Sequence, residues 1–221
     1  MPAFFVTGTD TEVGKTFVTC ALLHRARAAG LRACGIKAVA AGTDAAGQNE
    51  DVAAIRAASA PVLPEALLNP YCFTSPIAPH IAAREAGVRI HFARIRAALD
   101  TAEAQADLVL VEGAGGFRIP LGEEGDSADL ALALECPVIL VAGMRLGVIN
   151  HALLTAEAIT RRGLALAGWV ANTVDPAMPR FEENLAALRA MLPAPCLGCL
   201  PRQSPADPKR VAVILNLPFT V

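Results

Sequence analysis

An apolar run, Ala3 to Thr7, passes directly into Gly8-Thr9-Asp10-Thr11-Glu12-Val13-Gly14-Lys15-Thr16 and then into a segment of helical spacing, from about Lys15 to Ala29. A glycine-bounded loop between a buried strand and a helix start is built to hold phosphate. Backbone N–H groups at the helix N-terminus point at the anion, Lys15 can reach the β- and γ-phosphates, and the Thr16 hydroxyl can ligand magnesium. The spacing is irregular: five residues intervene between Gly8 and Gly14-Lys15, and Thr9 stands where the usual first glycine would be.

A strand, loop and helix of this kind belongs in an α/β sheet, and the remaining pattern agrees. Strand-like runs at Arg32–Val39, Leu108–Val111, Pro137–Ala142, Ala165–Ala171 and Pro195–Leu200 alternate with helix-like segments. Phe92, Ile95, Leu99 and Ala102 mark one helix, and others are expected at about Asn150–Arg162 and Pro179–Met191. Leu108–Val111 and Pro137–Ala142 have no polar alternation, as expected of strands covered on both faces. Gly30 is placed to end the first helix in a left-handed conformation. Ala41–Asn49 reads as a mobile loop, prolines dominate the middle, and Val211–Leu215 could add a final edge strand. The expected fold is a single-domain, three-layer, doubly wound, mainly parallel sheet over residues 1–221.

Composition narrows the function classes. Over 221 residues, 54% are hydrophobic and 18% charged, too apolar for a disordered chain. The net charge of −2 supplies no basic excess for nucleic acid. The longest stretch without formal charge, Ala66 to Ala83, is interrupted by Asn69, Pro70, Pro76 and Pro79 and cannot form an apolar spanning helix. No basic region precedes the apolar residues at the N-terminus, so no signal peptide is expected and a cytoplasmic location follows by default. The six cysteines look like small buried hydrophobes of a reduced compartment. Cys196 and Cys199 form a CxxC inside a strand-like run, where residues three apart face opposite ways, and the four histidines lack ligand spacing.

A phosphate loop needs a magnesium-binding carboxylate at the end of a neighbouring buried strand. Glu112 stands there, between Leu108-Val109-Leu110-Val111 and Gly113-Ala114-Gly115-Gly116. Asp51 is a second candidate, although alone it also reads as a helix-start acid. Lys37, in an otherwise apolar run, either faces an anion or snorkels to water. Gly143 to Asn150 precedes a helix, where Asn150 could cap while neighbouring N–H groups bind a carboxylate, or cap only.

Together these segments resemble the dethiobiotin synthetase family across nearly the whole chain. The resemblance rests on Val6 to Thr16, Val111-Glu112-Gly113-Ala114-Gly115-Gly116, Leu146-Gly147-Val148-Ile149-Asn150-His151 and Gly168-Trp169-Val170-Ala171-Asn172. The family shares the long loop spacing. The resemblance implies a phosphate-loop ligase that uses ATP and magnesium to carboxylate 7,8-diaminononanoate and close its ureido ring. A carbamate, then a carbamic-phosphoric anhydride, would be intermediates, and no nucleophilic residue is needed.

By that similarity Lys15 and Lys37 would neutralise the γ-phosphate and carbamate, and Thr11 would hydrogen-bond the transferring group. Thr16, Asp51 and Glu112 would hold magnesium. Glu12, Val13, Gly14, Lys15, Thr16 and Phe17 would wrap the phosphates beside Gly113, Ala114 and Gly115. Asn172 and Thr173, with Pro201, Arg202 and Gln203, would border the base. Gly147, Val148, Ile149 and Asn150 would receive the substrate carboxylate across a homodimer interface.

The sequence departs from the family near the substrate. The usual Lys-Pro-Val-x-Ser-Gly is Lys37-Ala38-Val39-Ala40-Ala41-Gly42, so a serine hydroxyl is replaced by Ala41; the lost bond is typically worth about 0.5–1.5 kcal/mol unless Thr43 or a water substitutes. Ile77-Ala78-Pro79-His80 stands where Ser-Pro-His is usual, and His80 is given no role. Two other readings are a cobyrinate-type amide synthase, which would need a glutaminase domain for which no room is seen, and an ATP-driven positioning switch. The switch proteins carry an extra lysine early in the loop where this chain has Asp10.

Overall fold

The computed structural model describes residues 2–220. The first half of the chain runs β1 (Ala3–Gly8), α1 (Lys15–Ala28), β2 (Ala33–Lys37), β3 (Val39–Ala41), α2 (Glu50–Ala58), α3 (Glu65–Leu68), β4 (Tyr71–Phe73), α4 (Pro79–Glu85) and α5 (Phe92–Glu103). It continues β5 (Leu108–Glu112), β6 (Pro120–Gly122), β7 (Gly125–Asp126), α6 (Ser127–Ala133) and β8 (Val138–Met144). The rest is α7 (Val148–Arg161), β9 (Leu166–Thr173), α8 (Phe181–Met191), β10 (Cys196–Leu200) and α9 (Pro208–Val211).

Six strands form one parallel sheet in the order β10-β9-β8-β1-β5-β2. β1, β5 and β8 are buried along their whole length, as their unbroken apolar runs require of strands covered on both faces. One face of the β8–β9 region carries Leu140, Met144 and Trp169 against Leu185 and Leu188 of α8, and the Trp169 indole donates to the Ala194 carbonyl at 3.1 Å. After β1 the chain turns toward β5 and β2, whereas β8, β9 and β10 build outward from its other edge. The loop after β1 therefore sits where the connections diverge, the position at which open α/β sheets bind ligands.

Three expectations are corrected. Arg32–Val39 is two strands: the chain leaves the main sheet after Lys37, and Val39–Ala41 pairs in parallel with Tyr71–Phe73 in a separate two-stranded sheet. Val211–Leu215 is no strand: Val211–Ile214 is helical, because the Asp207 carboxylate accepts from the N–H groups of Lys209 and Arg210 and starts α9 at Pro208, with a 3-10 turn after it. Asn150 does not cap α7, which begins earlier: Gly147 is the N-cap, with φ 96°, and Asn150 lies within the first turn. Gly30 does adopt the left-handed conformation, φ 86°.

The cysteines also differ in part. Cys20, Cys34 and Cys136 are buried, but Cys72 is exposed. A register shift between Cys196 and Gly198 breaks the alternation along β10, so Cys196 and Cys199 both pack on the Trp169 side instead of facing opposite ways. Among the described residues no cluster of histidine, cysteine and acidic side chains could hold a metal alone, and no helix is long and apolar enough to cross a membrane.

Candidate active site

Gly8–Thr16 wraps the space above the end of β1. Glu12 and Gly14 both take positive φ, 59° and 82°, which turns successive N–H groups inward before α1 starts at Lys15. Gly14 is required twice over: its φ suits glycine, and a Cβ there would lie 2.3 Å from Nδ2 of Asn172. That Asn172 amide is buried and donates to the Val13 carbonyl at 2.9 Å, so the end of β9 braces the loop from behind. The outer half of the loop is tied to β8: the Thr9 N–H donates to the Val141 carbonyl, the Gly143 N–H to Thr9 Oγ1, and Arg145 pairs with Asp10 at 2.6 Å.

Lys15 folds back over the loop and donates from Nζ to the Asp10 carbonyl at 3.1 Å. Burial dominates its environment and, despite Glu112 nearby, pushes its pKa down to about 8. One turn of α1 presents two hydroxyls to one carboxylate. Thr16 Oγ1 donates to Glu112 Oε1 and Thr19 Oγ1 to Glu112 Oε2, both at 2.7 Å.

Glu112 is fully buried at the end of β5, in register with Lys37 at the end of β2. The Lys37 ammonium donates to Glu112 Oε1 and to Asp51 Oδ2, each at 2.6 Å. Burial alone would lower the pKa of Lys37, but Glu112 and Asp51 raise it above the ordinary lysine value. Burial alone would likewise raise Asp51, and Lys37 with Thr16 draws it below the ordinary carboxylate value. Asp51 reaches this point because Asn49 caps α2, accepting from the Val52 N–H at 3.1 Å, and places the acid in the first turn.

These groups form one end of a cleft of about 1010 Å³. Thr11, Glu12, Gly14, Lys15, Thr16 and Phe17 line one side and Ala114, Gly115 and Ile119 border it. Lys37, Val39, Ala41 and Asp51, together with Pro76–Pro79, make the remaining wall. Glu112 lies just behind Thr16 and Lys37, under the floor. Val13, Gly113, Asn172, Thr173, Pro201–Gln203 and Gly147–Asn150 lie outside this lining, although Ala206 reaches it. Thr43 faces a smaller adjoining recess.

Sequence reasoning missed Thr19, whose signal was its place one turn beyond Thr16. It also missed Asn69, whose amide donates to the Lys37 carbonyl, and the prolines that wall the cleft. The oxygen donors of Thr16, Asp51 and Glu112 are hard ligands close together, a set that suits magnesium shared with a triphosphate and not a dedicated all-protein cage.

A parallel sheet with a glycine-bounded loop running into α1, a helix-start Lys15-Thr16 and an acid on the adjacent strand defines a phosphate-loop nucleotide-binding fold. Solved structures agree on that fold: a ParA family ATPase from Chlorobium tepidum superposes with TM-score 0.59 at 13% identity, over 96% of this chain and 91% of that one. The MinC:MinD cell division protein complex of Aquifex aeolicus gives TM-score 0.56 at 14% identity, over 92% of this chain and 82% of that one. A family model described as an AAA domain matches residues 2–210.

Sequence relatives go further. The chain is 61% identical to the ATP-dependent dethiobiotin synthetase BioD of Aromatoleum aromaticum, over 98% of this chain and 97% of that protein. It is 55% identical to the ATP-dependent dethiobiotin synthetase BioD of Pseudomonas aeruginosa, with the same coverage. The chain belongs to the dethiobiotin synthetase family and is an ATP-using ligase.

Proposed function

We propose that this chain carries out the family reaction, ATP-dependent synthesis of dethiobiotin in biotin biosynthesis, by carboxylating 7,8-diaminononanoate and closing its ureido ring as a single unit over residues 1–221. One amine captures CO2 as a carbamate. A carbamate oxygen attacks the γ-phosphorus and ADP leaves. The second amine then attacks the anhydride carbon and releases phosphate. Each step needs alignment and charge neutralisation, not a covalent enzyme intermediate.

The observation that carries this reading is the Lys37 ammonium, held by two acids in the cleft that the phosphate loop also lines, with Thr16 donating to the same Glu112 oxygen. From there it can meet the negative charge of the carbamate and the transferring phosphoryl group, while Lys15 serves the β- and γ-phosphates. Backbone N–H groups from Glu12 to Phe17 wrap the phosphates beside Gly113–Gly115, and Thr11 donates to the group in transit. Thr16, Asp51 and Glu112 would hold magnesium, which when bound neutralises phosphate charge. Asn172 and Thr173, with Pro201, Arg202 and Gln203, would border the base.

The acceptor lies along Val39–Ala41, and Gly147–Asn150 of a second copy of the chain receives the acceptor's carboxylate. Support for a homodimer comes from Leu146 and Leu154, 88% and 57% exposed, eight positions apart on either side of Asn150. A cytoplasmic enzyme acting on small molecules completes the reading. The test is phosphate release with ATP, magnesium and bicarbonate, with and without the diamine, while dethiobiotin is followed by mass spectrometry. One dethiobiotin per diamine-dependent phosphate is expected; release independent of the diamine overturns the reading.

A further inference from the structure

At Ala38 the chain crosses from the six-stranded sheet to the small β3–β4 sheet, and this crossing carries Lys37. β2 is an edge strand. The Ala38 N–H donates to the Glu112 carbonyl at 3.1 Å, toward β5, so the adjacent Lys37 carbonyl points the other way, off the edge of the sheet. No strand can receive it there. Asn69, just before β4, does so instead: its Nδ2 donates to the Lys37 carbonyl at 2.7 Å and to the Tyr71 carbonyl at 2.9 Å.

Asn69 is 6% exposed, and its buried Oδ1 has no hydrogen-bond partner among the described residues. Two carbonyls within reach of one atom identify that atom as the amide nitrogen, since an oxygen there would face two acceptors. The unpaired Oδ1 is informative. A side chain kept only to fill space would be apolar, because a buried amide oxygen without a donor is destabilising. The residue is used for its two N–H donors, a pair that serine, aspartate or leucine lacks.

We infer that Asn69 is a positioning residue for the reaction, its amide fixing the main chain of Lys37 and tying it to the strand pair that walls the acceptor side of the cleft. The Tyr71 carbonyl belongs to β4, and Tyr71 is in register with Val39 of β3. One amide group thus sets where the ammonium begins and where the acceptor wall stands relative to it. The inference rests on the proposed role of Lys37 and concerns how that role is maintained.

The experiment compares Asn69→Leu and Asn69→Ser with Tyr71→Phe. Tyr71→Phe removes the phenol that accepts from the His91 N–H at 2.8 Å and leaves the Lys37 carbonyl bonded, so it serves as a neighbouring control of stability. Melting temperature, nucleotide binding, and the kcat and KM of the diamine-dependent reaction are read for each. Asn69→Leu is expected to lose about 10- to 100-fold in kcat, as a misplaced reacting group does, with KM for ATP within about twofold of wild type. Asn69→Ser, which retains one donor, falls between.

Wild-type kcat in Asn69→Leu overturns the inference, as does an equal loss of kcat in Tyr71→Phe. Should Asn69→Leu fail to fold, wild-type kcat in Asn69→Ser overturns it. Lys37→Gln separates the two levels: activity in that variant refutes the role of Lys37 itself, whereas an inactive Lys37→Gln beside a fully active Asn69→Leu refutes only the inference.

Discussion

Lys37 Nζ and Glu112 Oε1 meet at 2.6 Å with both side chains almost sealed from solvent. Removing either partner leaves a buried charge without its complement, which costs far more than the pair contributes as a pair. Lys37→Gln is therefore expected to lower diamine-dependent phosphate release by at least about 100-fold and to lower the melting temperature, while nucleotide binding persists. Adding Glu112→Gln restores part of the melting temperature and none of the activity. A double-mutant cycle by thermal melting and phosphate release measures both outcomes.

Lys15 sheds its proton near pH 8 when no anion is present, because burial outweighs its acidic neighbours. A bound triphosphate favours the ammonium, so above that pH ATP binding takes up a proton and weakens as pH rises. Between pH 8 and 10.5 the unfolded chain holds a proton that the folded chain has lost, and this group makes nucleotide-free stability rise with pH across that window. Calorimetry at pH 9 in two buffers of different ionisation enthalpy reads the uptake; equal apparent enthalpies would contradict it.

Thr19 supplies the donor to Glu112 Oε2. Thr19→Val keeps the shape and orphans that oxygen, at a cost of about 1–3 kcal/mol. Thr19→Ser should be close to wild type. Chemical denaturation separates the two variants, and equal midpoints would show that the bond contributes nothing.

Ala41 ends β3 in the cleft wall, where the family's serine would bring a hydroxyl to the acceptor. Ala41→Ser is expected to lower the Michaelis constant for the diamine about two- to tenfold, the range of one hydrogen bond. An unchanged constant would assign that contact to another group.

Leu146 offers the most exposed large apolar side chain of the described residues, just before the N-cap of α7. Leu146→Asp places a charge in the interface of the proposed dimer. Sedimentation should then show monomer where the parent chain sediments as dimer, with the Michaelis constant for the diamine raised.

The phosphate loop was legible because all its parts are contiguous and its context is local: apolar strand, glycine, helix start. Glu112 was legible for the same reason, ending an unbroken apolar run. Asp51 and Lys37 carried ambiguous local signals, and the family resemblance chose between readings. Thr19 and Asn69 escaped because what each does depends on a partner 93 or 32 positions away. The proline-rich middle hid α3, β4 and α4, whose elements are too short to show periodicity. Val211–Leu215 misled because apolar content outweighed the Asp207-Pro208 helix start beside it.

The change of sheet at Ala38 divides the molecule mechanically. The phosphate loop stands on a wide six-stranded platform, while the proposed acceptor wall rests on a narrow strand pair, with Lys37 and the Asn69 amide at the crossing between them. Acceptor preference can therefore be re-engineered in β3, β4 and the prolines after them without disturbing the phosphate cradle. Lys37 stands at the crossing between the two sheets, and redesign on either side has to leave it where it is.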